Sequence, residues 1–415
     1  MRNARSASLS QQRLSLCNCY STLRLCIRHV AILRLGLEGQ ERLCVEANTI
    51  LAKRYLVQGA PLGEGCFSRA FRCFDQKSER PVCVKVVHNN KECLDSGLAE
   101  IKALTLLNES WDTSSGEAPF VRLLDYFYYK EHLLVVTELL GDTFDQYLRN
   151  VNTSGKGDVK AWRPWLHVES LTSSASFAAQ AVQLLKALEF MHSHGIAHGD
   201  IKPDNICLRW GSPHRIKLID FGSCIGKHDS MSSYMQNRLY RAPEVILGIA
   251  KDPKKIDIWS LGCTLVEMVL GYPLFGEFQG SSPAEVLAAQ QAVLGPHPQS
   301  FLTECPPEIY ALYFTPEEEL YVIHESEDLP DVHKLTALST PLAQLLSKAD
   351  APMIDFVASM LCYEPNERPD APTALAHPFI AGYLHDEEWL KSASPAWMRP
   401  SQAGRVNESW LSGSA

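Results

Sequence analysis

The stretch His198-Gly199-Asp200-Ile201-Lys202-Pro203-Asp204-Asn205 sets two carboxylates, an ammonium and an amide within eight residues, between an amphipathic helical pattern and a short apolar run. An Asp followed two residues later by Lys and five later by Asn carries the parts of a phosphoryl-transfer site. Asp200 can accept a hydroxyl proton, Lys202 can neutralise charge on a terminal phosphate, and Asn205 can offer an oxygen to magnesium. Alone, the octet also reads as a polar turn, because Asp and Asn favour turns. Beginning twelve residues beyond Asn205, Lys217-Leu218-Ile219-Asp220-Phe221-Gly222 reads as a short buried strand with a carboxylate at its end and Gly222 free to take positive φ. Asp220 can hold the same cation against β- and γ-phosphates.

Upstream of the octet, Phe177, Ala181, Leu184, Leu185, Leu188 and Met191 recur at helical spacing and predict a core helix ending near Gly195. Further back, Leu62-Gly63-Glu64-Gly65-Cys66-Phe67-Ser68-Arg69-Ala70 lies between two strand-like runs. Gly63 and Gly65 let the backbone turn over phosphates that its amides contact, although a third glycine is missing and the segment alone reads as a hairpin. Val82-Cys83-Val84-Lys85-Val86-Val87 is a buried strand whose ammonium needs an anion. Glu100, in a helix expected over 98–107, is the expected partner, which would set Lys85 against the α- and β-phosphates. The plainer alternative is an edge-strand Lys and a solvated Glu. Residues 126–140 give two more strands, with Glu138-Leu139-Leu140 as a connector whose backbone would meet an adenine edge.

Downstream, Tyr234 lies four residues before Arg238 and seven before Arg241, so a phosphate on it could be clamped by both guanidinium groups; an ordinary exposed loop has the same spacing. Asp257-Ile258-Trp259-Ser260-Leu261-Gly262 opens a helix through Leu270 too apolar all round to lie on a surface. Residues 150–174 lack periodicity and read as a surface loop.

The 415 residues suit two packed units or one large two-lobed domain, and 46% hydrophobic content is ample for a core. A net charge of -9 argues against a general nucleic-acid or anionic-membrane binder, and no apolar stretch reaches membrane-spanning length. Thirteen Cys without a Cys-x-x-Cys pair read as reduced thiols of an intracellular protein. Residues 1–53 carry eight Lys or Arg against three acids, and are expected to be a disordered basic leader in preference to an organelle transit peptide.

These stretches together resemble a eukaryotic protein kinase of the CMGC group, nearest the DYRK family in its plant-type and splicing-kinase-like branches. The resemblance spans residues 54–382 and rests on Val82 to Lys85, Asp125 to Leu140, Asp200 to Asn205, Asp220 to Cys224, Tyr234 to Gly248 and Asp257 to Gly262. It implies an α+β bilobal fold: a β-rich N-lobe over 54–138, a helical C-lobe over 141–382 with an insert at about 276–351, and a tail over 383–415. It further implies ATP and Mg2+ as cofactors, phosphorylation of Ser and Thr on protein substrates, and autophosphorylation of Tyr234. It places Cys83 and Cys207 above and below the adenine beside Ala70, pairs Glu244 with Arg368, and gives His198 and Asp257 structural roles. Gly199 stands where many kinases carry an Arg, and Ser232 and Ser233 precede Tyr234 where the family often has a second Tyr. A monomeric kinase domain, cytoplasmic or nuclear, is expected. A catalytically silent scaffold and a small-molecule phosphotransferase are the alternatives, the latter because His-Gly-Asp with a later Asn occurs in aminoglycoside and choline kinase-like enzymes.

Overall fold

Alternation along the strands builds the smaller lobe. The computed structural model describes residues 41–153, 174–209, 212–226, 229, 231, 235–276, 282–315, 320–325, 330–334 and 340–384. Strands β1 (Ile50–Leu51), β2 (Tyr55–Glu64), β3 (Ser68–Asp75), β4 (Arg80–Val87), β5 (Leu123–Tyr129) and β6 (His132–Glu138) form one antiparallel sheet in the order β1-β2-β3-β4-β6-β5. In β4, Val82, Val84 and Val86 are buried with Tyr55, Val57, Phe71, Leu134 and Val136. Side chains alternate between faces, so Cys83 and Lys85 emerge on the opposite face. That face roofs the cleft.

The sheet begins earlier than the expected boundary at residue 54. Leu43 and Leu51 are buried in this core, and β1 pairs with β2 through Ile50 opposite Leu56. The Glu41 carbonyl accepts the Asn89 N–H at 2.8 Å, and Glu41 Oε1 accepts the Asn90 amide at 2.9 Å. Residues 41–53 are thus a packed strap, and only residues 1–40 of the expected leader lie outside the described residues.

Helix α1 (Lys91–Ser110) packs beside the sheet; Asn90 caps it by accepting the Cys93 N–H at 2.8 Å, satisfying one of the helix's orphan donors. It buries Leu98, Glu100, Ile101, Leu104 and Leu107. After the connector, α2 (Phe144–Thr153) occupies the start of the expected loop over 150–174, and residues 154–173 lie outside the described residues. Helix α3 (Ser174–Ser193) ends before Gly195, whose φ of 73° stops it in the left-handed region.

The larger lobe is organised by α3 and by a second long helix, α4 (Pro253–Leu270). Every residue of α4 from Ile256 to Met268 is buried, as an all-round apolar helix demands. It starts four residues before the expected Asp257 because Asp252 caps it and Pro253 suits the first turn. Between the two helices run β7 (Ile196–Ala197), β8 (Ile206–Arg209), β9 (Ser212–Leu218) and β10 (Ile225–Gly226), paired β7 with β10 and β8 with β9. The expected insert contains helix Pro283–Leu294 and an antiparallel hairpin of Tyr321–Glu325 with Pro330–Lys334.

Candidate active site

Lys85 Nζ lies 2.8 Å from Glu100 Oε2 and 2.7 Å from Asp220 Oδ1, joining the roof strand, α1 and the loop after β9. Burial alone would lower the Lys85 ammonium, but Asp220 and Glu100 reverse this and raise it well above the ordinary lysine range. Burial raises the Glu100 carboxyl against the pull of Lys85. For Asp220 burial acts the same way, yet the Lys85 charge wins and the carboxyl is lowered. One cation between two carboxylates leaves an excess negative charge, which burial disfavours on the less exposed acid: the Glu100 side chain is 4% exposed and that of Asp220 43%. The open carboxylate is the one able to meet a further cation.

On the floor, Lys202 Nζ donates to Asp200 Oδ2 at 2.8 Å, and Asn205 Nδ2 donates to Asp200 Oδ2 and to the Asp200 carbonyl, both at 2.8 Å. Burial would lower Lys202, but Asp200 raises it, so it stays charged. Because the Asn205 amide nitrogen faces Asp200, its oxygen is the atom left to face a cation. Asn205 and Asp220 fit magnesium as two of its oxygen ligands; no group of three His, Cys, Asp or Glu among the described residues could hold a metal, so phosphate oxygens or water would supply the remaining ligands.

The floor's backbone is pinned from below. Asp257 Oδ2 accepts the His198 N–H at 2.7 Å and His192 Nε2–H at 2.9 Å, while its Oδ1 accepts the Gly199 N–H at 2.9 Å. His198 bridges the two loops: its Nδ1 accepts the Asp200 N–H at 3.3 Å, so Nε2 carries the proton donated to the Ile219 carbonyl at 3.1 Å. Its ring also packs on buried Phe221, centroids 5.0 Å apart. Gly199 has φ 76°, and a Cβ there would lie 2.4 Å from the Ser223 carbonyl oxygen. An Arg at 199 has no room.

Gly222 does not supply the expected positive φ; Asp220 itself takes φ 62° and ψ 75°. Asp is among the few non-glycine residues that tolerate this region. Gly222 is small for another reason: a Cβ would lie 2.4 Å from Ser96 Oγ, which donates to the Gly222 carbonyl at 3.1 Å.

The turn at Gly63 and Gly65 spans β2 to β3, closed by the Gly65 N–H donating to the Ser68 carbonyl at 2.9 Å, and Ala70 lies opposite Lys85 in the sheet. Cys83 is in the roof and Cys207 in β8 of the floor. Burial pushes their thiols up, Cys83 to about 11 and Cys207 to about 12, and a charge on Cys83 would act on Cys207. At the connector, Leu140 packs against the large-lobe core, and the Glu138 carboxylate accepts Lys217 Nζ at 2.6 Å and the Arg122 N–H at 2.8 Å. Its side chain is therefore committed behind the connector.

Lys217 was not singled out by the sequence reading. It is buried, contacts Glu117 at 3.0 Å as well as Glu138, and Glu117 also takes Arg209 at 2.6 Å. The argument that found Glu100, that a Lys inside a strand needs an anion, applies equally to Lys217 in β9.

Glu244 and Arg368 meet at 2.6 and 2.7 Å, both 1% exposed, with the Arg368 guanidinium 4.8 Å from the Trp259 ring centre. Tyr234, Ser232 and Ser233 lie outside the described residues. Arg238 is exposed, whereas buried Arg241 donates Nε to the Met235 carbonyl at 2.7 Å and Nη2 to the Gln236 carbonyl at 2.8 Å. Arg241 holds the backbone just after Tyr234. No helix of the described residues is long and apolar enough to cross a membrane.

A family profile described as "Protein kinase domain" matches residues 56–380. The chain is 33% identical over 333 residues to serine/threonine-protein kinase ppk5 of Schizosaccharomyces pombe, covering 80% of this chain and 36% of that one. It is 31% identical over 360 residues to human dual specificity tyrosine-phosphorylation-regulated kinase 4, covering 85% of this chain and 62% of that one. A crystal structure described as the kinase domain of PF14_0431 superposes with a TM-score of 0.66 at 25% identity, over 82% of this chain and 99% of the other. The N-terminal antiparallel sheet over a helical lobe is the kinase fold, and the chain belongs to the protein kinase family.

Proposed function

We propose that the chain is an active kinase of the DYRK branch that transfers the γ-phosphate of ATP to Ser and Thr of proteins and phosphorylates its own Tyr234 during maturation. The observation that carries this reading is the complete bridge of Glu100, Lys85 and Asp220 above an intact Asp200, Lys202 and Asn205. Lys85, held by Glu100, binds and orients the α- and β-phosphates; Asp200 orients the substrate hydroxyl and takes its proton; Lys202 offsets charge developing on the transferred group. Asn205 and Asp220 would hold magnesium, which supplies charge neutralisation along the phosphates when bound. The loose transition state needs positioning and electrostatics more than covalent help, and this site supplies both.

The silent-scaffold reading is disfavoured because each of these polar groups has its partner in place. The small-molecule reading is disfavoured by the buried Glu244–Arg368 pair, which fixes the segment after Arg241 where a peptide would lie. A monomeric, cytoplasmic or nuclear enzyme remains the proposed setting. The test is transfer of labelled phosphate from magnesium-ATP to a Ser/Thr protein, with phosphosite mapping of the parent and of Asp200→Asn. Phosphate on substrate and on Tyr234 in the parent only is expected. Magnesium-ATP binding without transfer would move the assignment to a scaffold.

A further inference from the structure

The turn that roofs the phosphates carries a thiol that the kinase reading does not use. Cys66, between Gly65 and Phe67, is exposed. Cys93, in the first turn of α1, is 3% exposed, and its Sγ lies 3.9 Å from the Cys66 carbonyl oxygen. Covalent geometry places a Cα about 2.4 Å from its own carbonyl oxygen, so the Cys66 Cα is at most about 6.3 Å from the Cys93 sulfur, and the two Cα atoms are at most about 9 Å apart. A charge on Cys66 would also raise the Cys93 thiol, so each sulfur lies within electrostatic reach of the other. A disulfide needs Cα atoms about 4.4–6.8 Å apart and sulfurs in bonding contact, which asks for rotation of the exposed Cys66 side chain and a movement of its turn by at most about 2 Å. There is space around the turn for this: a Cβ on Gly63 would meet nothing within 4 Å, and one on Gly65 only the Ser68 carbonyl at 3.9 Å. What the turn rests on is nearby and fixed. His88 donates its N–H to the Phe67 carbonyl at 2.9 Å, and its ring nitrogen lies 3.3 Å from the Gly65 carbonyl.

We propose that Cys66 and Cys93 are a modification site at which a hydroperoxide closes a disulfide, tethering the tip of the glycine turn to the first turn of α1 and lowering phosphoryl transfer. The chemistry balances in two steps. The Cys66 sulfur attacks the peroxide, an S–O bond forms as the O–O bond breaks, and an alcohol or water leaves, giving a sulfenic acid. The Cys93 sulfur then attacks the Cys66 sulfur, the S–S bond forms as the S–O bond breaks, and water leaves. Two thiols give up two electrons and two protons to one peroxide. Exposure makes Cys66 the sulfur that meets oxidant, and proximity makes Cys93, although burial raises its thiol, the one that can resolve it.

The tether reaches the chemistry through α1. Ser96, which bonds the Gly222 carbonyl, follows Cys93 by three residues, and Glu100, which holds Lys85, follows by seven. A turn fixed to the start of that helix cannot settle on a nucleotide independently of it.

The effect on rate rests on the kinase reading; the bond itself does not. The full chain is treated with hydrogen peroxide, alkylated without reduction, digested and mapped by mass spectrometry, while transfer to a protein substrate is followed before and after dithiothreitol. The expected result is a linked Cys66–Cys93 peptide and a rate lowered by about 10–100-fold, the scale of an ångström misplacement, with both reversed by dithiothreitol. Cys66→Ser should form no such link and keep its rate through the treatment. Cys66 oxidised to sulfinic acid with no linked peptide overturns the proposal, as does a linked protein that turns over at the reduced rate. If the reduced protein transfers no phosphate, the kinase reading falls, while the mass of the linked peptide still decides the disulfide.

Discussion

Gly199→Ala tests how rigidly the floor of the cleft is set. At φ 76° any L side chain carries a left-handed conformation, worth about 1–2 kcal/mol. The new Cβ would also stand 2.4 Å from the Ser223 carbonyl oxygen, so about 1 Å of separation must be found before ordinary contact is reached. The 199 side cannot yield, because Asp257 holds the Gly199 N–H. The movement therefore passes to Ser223 and along the chain to Asp220. Overpacking of this kind adds about 1–3 kcal/mol, for a total of about 2–5 kcal/mol. Gly248→Ala is the matched control: its φ is 69°, but its Cβ would meet only Ile309 Cγ1 at 3.9 Å, so the conformational part alone applies. Urea denaturation of both variants gives the stability difference, and phosphate transfer gives the functional one, with a loss of about a hundredfold expected for Gly199→Ala alone. Equal stabilities and equal rates for the two variants would show that Ser223 yields freely and that the steric argument is wrong.

Arg368→Leu should destabilise by about 3–5 kcal/mol by leaving the Glu244 carboxylate buried and unpaired; in chemical denaturation the double variant with Glu244→Leu should recover part of that loss, and additive losses would refute the pairing. Burial raises the Glu267 carboxyl to about 7 from an ordinary 4.5, even though Tyr240 donates a hydrogen bond to it. The folded state therefore holds a proton that the unfolded chain releases, and this contribution, complete below pH 4.5, is lost as pH rises through 7, to a limit of about 3 kcal/mol. Denaturation between pH 5 and 8 should show the decline in the parent and a flatter profile in Glu267→Gln, and parallel profiles would exclude it. Lys217→Met should weaken ATP binding about tenfold with a smaller change in kcat, because the carboxylates behind the connector lose their cation; a fall in kcat at unchanged KM would place its role elsewhere.

Much of the site was legible because chemistry and sequence coincide there. Asp200, Lys202 and Asn205 are so close along the chain that any fold compatible with the local turn keeps them together, and Lys85 announced Glu100 through the need of a buried ammonium for an anion. Non-local sterics were not legible. That Gly199 is small because of the Ser223 backbone, and Gly222 because of the Ser96 hydroxyl, depends on which groups approach in three dimensions. The strap over residues 41–53 was hidden for a related reason: its balanced charges were read together with the basic stretch before it, and Leu43 and Leu51 find their partners only when the sheet gathers them. Lys217 was legible and passed over, since its strand was read only for the carboxylate it delivers.

Asp220 answers to two examiners at once. The backbone at φ 62° accepts few side chains, chiefly Gly, Asn and Asp, while the contact with Lys85 accepts only an anion of short reach. Each near-miss fails a different test: Asn satisfies the backbone and lacks the charge, Glu, which takes such a φ at positions 79 and 131, carries its charge one methylene further out, and Gly relieves the backbone and brings nothing to the cation. Drift by single substitutions therefore has no neutral neighbour to occupy at this position, and the two demands, unrelated in origin, make Asp the intersection of two short lists.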